Sequence, residues 1–178
     1  MKKIILALLL LLIPTILFAE QIGIKIGNFK FNETGYGYTN NFCFGVDLSS
    51  DFNKGIQYRL SADYYRQSFD TNNYLYSTYL YSITPSLKFN FTDYYISPYV
   101  GVGIGLFLVK EIIKYQTYNI TARYDSYYHG LGEVFYGGVD FNLNEDISMF
   151  IELEWDYIEI SGIDFGGRKV YLGTRFKY

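Results

Sequence analysis

From residue 21 to the C-terminus, apolar and polar side chains alternate with a period of two, and no window keeps for long the i, i+3, i+4, i+7 spacing of an amphipathic helix. Segment 56–65, IQYRLSADYY, sets Ile56, Tyr58, Leu60, Ala62 and Tyr64 against Gln57, Arg59, Ser61 and Asp63. In 147–157, ISMFIELEWDY, Ile147, Met149, Ile151, Leu153, Trp155 and Tyr157 alternate with Ser148, Phe150, Glu152, Glu154 and Asp156. Segment 169–178 repeats the pattern, with Val170, Leu172, Thr174, Phe176 and Tyr178 on one face. Such alternation predicts strands with one face in an apolar phase.

The least polar stretch, SPYVGVGIGLFLV at 97–109, follows the same rule. Val100, Val102, Ile104, Leu106 and Leu108 share one face; Tyr99, Gly101, Gly103, Gly105 and Phe107 share the other. A phosphate-binding glycine loop fails because the spacing is G-x-G-x-G, with Leu106 at the position of the third glycine of G-x-G-x-x-G. A helix would carry three glycines, each costing up to ~1 kcal/mol relative to alanine, and is too short to cross a bilayer.

The pattern predicts eight strands, at 21–31, 41–49, 56–65, 78–91, 95–109, 130–143, 147–157 and 169–178. Their connections alternate: 50–55, 92–94 and 144–146 are short, whereas 32–40, 66–77, 110–129 and 158–168 are longer. Short turns at one end and long loops at the other define an up-and-down antiparallel barrel crossing an outer membrane, with both termini at the short-turn, periplasmic end. Three places fit less simply. Phe29 and Phe31 fall on the opposite parity from Ile22, Ile24 and Ile26, which predicts a bulge near Gly27–Asn28 or an early strand end. Pro85 removes a ladder donor inside the fourth strand, where a closed barrel offers no free edge. Glu133 lands on the lipid side, so the sixth strand is expected to begin later or to bulge at Gly137–Gly138.

A closed sheet satisfies its backbone donors internally, so in lipid the apolar faces point outward and the polar faces inward. The predicted inward set holds Lys25, Arg59, Lys88, Lys169, Arg175 and Lys177 against Asp47, Asp63, Asp140, Glu152, Glu154 and Asp156. An eight-stranded barrel is only wide enough for side chains to fill. These charges therefore pair in a plugged lumen, since unpaired burial would cost several kcal/mol per ion; an ion or proton path along them is the functional alternative.

The start, MKKIILALLLLLIPTILFAEQ, has a basic n-region, an apolar run, Pro14 and a small residue at Ala19. That order predicts a secretory signal peptide, 1–19, followed by one barrel domain, 20–178. An uncleaved anchor is the alternative, but the run falls short of the ~20 residues of a helical span. Cys43 alone cannot form an internal disulfide framework and reads as a buried filler. The net charge of −3 offers no basic surface for nucleic acid. One histidine and one cysteine give no metal site, and no cofactor is expected. The 21 tyrosines and 15 phenylalanines suit aromatic belts at two membrane interfaces.

Three stretches, SPYVGVGIG at 97–105, GGVDFNLNEDISMFIELEWDY at 137–157 and the terminal YLGTRFKY, resemble the small outer-membrane barrels of the OmpA-like and opacity-type superfamily. The resemblance implies the bacterial outer membrane and contact with its lipid. It also implies an assembly signal in the last strand, Tyr171, Gly173, Phe176 and a terminal aromatic Tyr178, read by the barrel-assembly machinery; the commonest form ends in Phe.

Such folds serve several functions. The leading expectation is a non-enzymatic surface barrel, structural or adhesive, whose long loops meet an extracellular ligand. Tyr115, Tyr118 and Tyr124 are the contact candidates, because tyrosine supplies rigid amphipathic contact area. Tyr76, Tyr127 and Tyr128, nearer the strand ends, suit the upper belt. A lipid A-modifying enzyme would need an activated nucleophile. The string DSYYHG offers Asp125, Ser126 and the sole His129, but Ser126 and His129 point to opposite sides of an extended segment. A narrow channel for ions or apolar solutes is the third reading.

Overall fold

The structure, a computed structural model, describes residues 19–31, 40–71, 74–92, 94–117 and 120–178. It is all antiparallel strand: β1 (Gln21–Phe31), β2 (Asn40–Asn53), β3 (Ile56–Thr71), β4 (Tyr74–Asn90), β5 (Ile96–Thr117), β6 (Ile120–Asn142), β7 (Ile147–Ile160), a two-residue β8 (Ile163–Asp164) and β9 (Gly167–Lys177). Sequential neighbours pair from β1 through β7, β9 pairs with β7, and β9 pairs with β1, closing a ring of eight strands with β8 as a short appendage. At the seam the Tyr178 N–H donates to the Glu20 carbonyl (3.0 Å). No described helix is long and apolar enough to cross a membrane; strands do the crossing.

The inversion of faces is explicit along β7, whose burial alternates residue by residue: Glu152, Glu154 and Asp156 are buried while Ile151, Leu153 and Trp155 are exposed. Val102, Ile104 and Leu153 keep 41, 45 and 44% of their surface on the outside, whereas Lys25 and Glu152 keep none. In a closed cylinder of this width, that arrangement is stable only with hydrocarbon around it.

The strands extend well beyond the predicted ends. β3 and β4 run on to Thr71 and from Tyr74, and β5 and β6 to Thr117 and from Ile120, so the stretches expected as loops 66–77 and 110–129 are extended hairpins. In the upper β3–β4 ladder small polar residues occupy both faces, Gln67 and Thr78 on one and Ser68 and Ser77 on the other, so the apolar alternation fades although the hydrogen-bonded ladder continues. The last of these connections, expected as loop 158–168, is also partly strand: Ser161 (φ 55°) and Gly162 (φ 79°) turn β7 into β8 with both central residues left-handed, the geometry of tight hairpins.

Neither predicted irregularity at Gly27 nor that at Gly137 occurs. β1 keeps one register against β9 from Gln21 to Phe31, and Phe29 faces the lumen, fully buried. There it packs in an apolar cluster, its ring centroid 5.1 Å from that of Tyr65, so a ring on the inward parity needs no bulge. β6 likewise holds one register against β5 and β7 through Gly137–Gly138, leaving Glu133 outward between Ile104 and Tyr157. From Asn142 to Glu133 the strand climbs roughly 23 Å at ~3.3 Å per residue and ~40° tilt, near the top of a ~25 Å apolar band where a carboxylate reaches water. At Pro85 the β3 pairing continues through Leu60, while the β4–β5 ladder skips from Ile83↔Leu106 to Ser86↔Gly103 without changing register. The missing donor is absorbed as a local gap.

Candidate functional site: the lumen and the outer hairpin

The lumen is sorted into three layers. At the short-turn end a polar vestibule of about 780 Å³ is bordered by Asp51, Gln57, Asn90, Asn142 and Lys177 and floored by Lys88, Asp140 and Arg175. In the middle lie the buried charges. Toward the outer mouth Phe29, Leu80, Phe107, Val134, Ile158 and Phe165 pack as an apolar plug, with Phe165 also against the ring of Tyr128 at 5.3 Å.

The charge layer brings together eleven of the twelve residues expected there. Arg59 donates from two guanidinium nitrogens to both oxygens of Glu152 (2.5 and 2.9 Å) and lies 3.2 Å from Asp47. Arg175 pairs with Asp140, and its guanidinium reaches Asp47 and Glu152 at 3.6 Å each. Lys88 completes the lower end on Asp140 (2.6 Å). Above, Lys25 sits 2.9 Å from Asp63 and within 3.7 Å of Glu152 and Glu154. Lys169 bridges Glu154 and Asp156, the latter at 2.6 Å. The twelfth, Lys177, is exposed at the vestibule rim, where the last strand leaves the narrow lumen. The expected six-against-six balance is thus five cations against six carboxylates.

Pattern reasoning missed the rings that hold these cations. Lys25 lies over Tyr171 (4.3 Å to the centroid), Arg59 over Tyr136 (4.6 Å), Lys88 over Tyr99 (4.2 Å), Lys169 over Tyr65 (4.1 Å) and Arg175 over Phe150 (3.8 Å). A ring face attracts a desolvated cation by up to ~2 kcal/mol, and three of the hydroxyls also join the network. Tyr99 donates to Glu152 (2.9 Å), Tyr171 to Asp63 (3.4 Å), and Tyr65 accepts from Lys169. Sequence parity held the signal, since Tyr65 shares its face with Asp63 and Arg59.

The C-terminal candidates divide by face. Tyr171 and Gly173 point inward, the tyrosine fully buried, whereas Phe176 and Tyr178 are exposed outside.

Of the contact candidates, Tyr115 on β5 and Tyr124 on β6 form a T-shaped ring pair at 6.2 Å on the outer part of the β5–β6 hairpin; Tyr118 lies outside the described residues. On the opposite face of that hairpin Arg123 donates twice to Asp125 (2.7 and 2.8 Å), which lowers the carboxyl pKa from its ordinary value and raises that of the guanidinium. Ser126 and His129 fall on opposite faces of β6, and Asp125 is held by Arg123, so the three do not meet as a catalytic set.

Closed antiparallel strands, a charged interior and an apolar exterior define a transmembrane barrel of the bacterial outer membrane. The chain belongs to the outer membrane protein beta-barrel domain family, which it matches over residues 5–176. It is similar in structure to Neisserial surface protein A (TM-score 0.64, 18% identity, 89% of this chain and 96% of that one). It is also similar to Ail, the attachment invasion locus protein of Yersinia pestis, in complex with the heparin analogue sucrose octasulfate (TM-score 0.57, 19%, 88% and 98%). The outer membrane enzyme PagL shares the fold as well (TM-score 0.50, 13%, 89% and 99%). No curated protein matches the chain.

Proposed function

We propose that this is a non-enzymatic surface barrel: the filled lumen is structural, and the long β5–β6 hairpin meets partners outside the cell. The observation that carries the reading is the division of labour along those two strands. Their lower halves are a lipid-facing wall, and their upper halves stand beyond the apolar band as a paired ladder presenting Tyr115 and Tyr124 on one face and Lys114, Arg123 and Asp125 on the other. A paired ladder gives tyrosine contacts little ordering cost on binding. Ail, of the same fold, is found with a sulfated sugar, and a polysaccharide is one ligand class this hairpin suits. Residues 1–19 are the cleaved leader in this reading, and the last strand, with Phe176 and Tyr178 exposed, addresses the barrel-assembly machinery.

The test replaces residues 110–129 by a short Gly/Ser turn and measures adhesion of cells bearing either form to heparin and to a panel of matrix proteins. Loss of binding on trimming supports the hairpin as the contact surface; adhesion equal to the intact protein for every partner overturns it.

A narrow channel is the second reading, favoured by the vestibule. The plug and the paired charges oppose it, and planar-bilayer recordings separate the two: the structural reading expects no resolved single-channel steps.

A further inference from the structure

We propose that the outer wall of β2–β5 binds one phosphorylated lipid of the outer leaflet, lipid A, with an acyl chain in a groove over Ala62 and a phosphate between Arg66 and Lys110. The registers stack the outward side chains in rungs. Val46, Ala62, Ile83 and Leu106 form one, Phe44, Tyr64, Tyr81 and Leu108 the next, and Phe42, Arg66, Tyr79 and Lys110 the one above. Ala62 is the smallest side chain on these rungs, and its shortness opens a shallow groove walled by Phe44, Tyr64, Tyr81 and Ile83. The three aromatic walls brace one another, with ring centroids 6.2 Å apart for Phe44–Tyr64 and 5.2 Å for Tyr64–Tyr81.

The rung above the groove is cationic. Arg66 lies with its guanidinium 5.6 Å from the Tyr79 ring and forms no salt bridge among the described residues. Lys110 stands 3.6 Å from Asp125 and 5.1 Å from the Tyr127 ring, and Lys114 and Arg123 face each other higher on the same wall. Among the described outward side chains here, Asp125 is the one carboxylate against four cations. From Ile56 to Arg66 the strand climbs roughly 25 Å at ~3.3 Å per residue and ~40° tilt, the upper edge of the ~25 Å apolar band. Phosphates of the outer leaflet lie at that edge.

The occupant follows from the two halves. The groove is reached only from hydrocarbon, so it takes a chain; the cations sit where headgroups begin, so the chain carries an anion. A water-borne peptide or sugar could reach the cations and not the groove.

The experiment folds the full chain in detergent with lipid A, removes excess lipid and counts retained lipid A by native mass spectrometry. The variants are Arg66→Gln/Lys110→Gln, Ala62→Phe, and Lys30→Gln/Arg168→Gln as a control on the opposite wall, each first shown to be folded by its gel mobility before and after boiling. The double variant should weaken retention roughly thirtyfold, about fivefold for each basic residue at a lipid surface. Ala62→Phe should do the same by filling the groove, and the control should match the parent. Equal retention by the parent and the double variant overturns the proposal. So does equal retention of dephosphorylated lipid A, or displacement of lipid A by an equal amount of phosphatidylglycerol. Should Ala62→Phe fail to fold, the surface double variant still decides the matter.

Discussion

Gly101 and Tyr136 face each other in register across the β5–β6 ladder, and the tyrosine ring lies over the glycine so closely that a β-carbon there would sit 2.1 Å from Tyr136 Cζ. The ring is held by a hydrogen bond shared between its hydroxyl and Ser86 (3.0 Å), and Arg59 stacks on its face before reaching Glu152. A missing side chain on one strand thus positions the most buried arginine of the lumen. Gly101→Ala is expected to destabilise the barrel by about 1–3 kcal/mol through overpacking. Urea unfolding in lipid vesicles measures it, and combining the change with Tyr136→Ala should cost less than the two single effects added.

Glu152 accepts from two guanidinium nitrogens of Arg59, and removing its charge leaves that buried cation with Asp47 alone, at 3.2 Å. Glu152→Gln is expected to cost about 3–5 kcal/mol, and the double change Arg59→Met/Glu152→Leu distinctly less. A double-mutant cycle on unfolding midpoints reads the coupling; additive losses would mean the two side chains act independently.

Phe107 fills the plug beside Gly105 and Gly132, its ring within 3 Å of where their β-carbons would be. Phe107→Ala should destabilise by about 3–5 kcal/mol. Bilayer recordings of this variant should still show no conductance, because the charge layer beneath remains intact.

Glu133 is expected to tolerate removal. At the edge of the apolar band an acidic side chain costs at most ~1 kcal/mol, so Glu133→Leu should raise unfolding stability by no more than that. A gain above about 2 kcal/mol would place the residue near the bilayer centre.

Cys43 is fully buried on the lumen face, paired across the ladder with Gly27 and Tyr65. A membrane-impermeant maleimide should leave the folded barrel unlabelled and modify the boiled chain completely. Rapid labelling of folded protein would show that the lumen opens at this level.

Strand number and facing were legible because Ile151-Glu152-Leu153-Glu154-Trp155 and its counterparts alternate cleanly wherever lipid lies on one side and the lumen on the other. Pairing partners were not. Which acid Lys25 meets depends on the stagger between β1 and β3, and no single strand's pattern carries that. Tyr99 and Tyr171 share the inward parity with the polar residues of their strands, but that parity does not show that Tyr65, Tyr99, Tyr136 and Tyr171 each lie over a cation, where a ring behaves as a polar lumen residue. Phe29 read as a misfit only on the premise that the lumen is polar throughout. The upper hairpins were invisible because polar residues stand on both faces there, as Gln67 and Ser68 do opposite Thr78 and Ser77, which removes the contrast on which the pattern depends. In the outer hairpin the positions of Tyr115 and Tyr124 were legible, and their ring pairing required the register.

The hydrogen bond from Tyr178 to Glu20 has a bearing on how such a chain can be rearranged. The two ends of the barrel domain emerge side by side, so a linker of a few residues can join them while a new opening is cut in the tight connection at 143–146. The permuted chain would carry the same ring with a different strand emerging last, separating what the finished cylinder requires from what the order of synthesis requires.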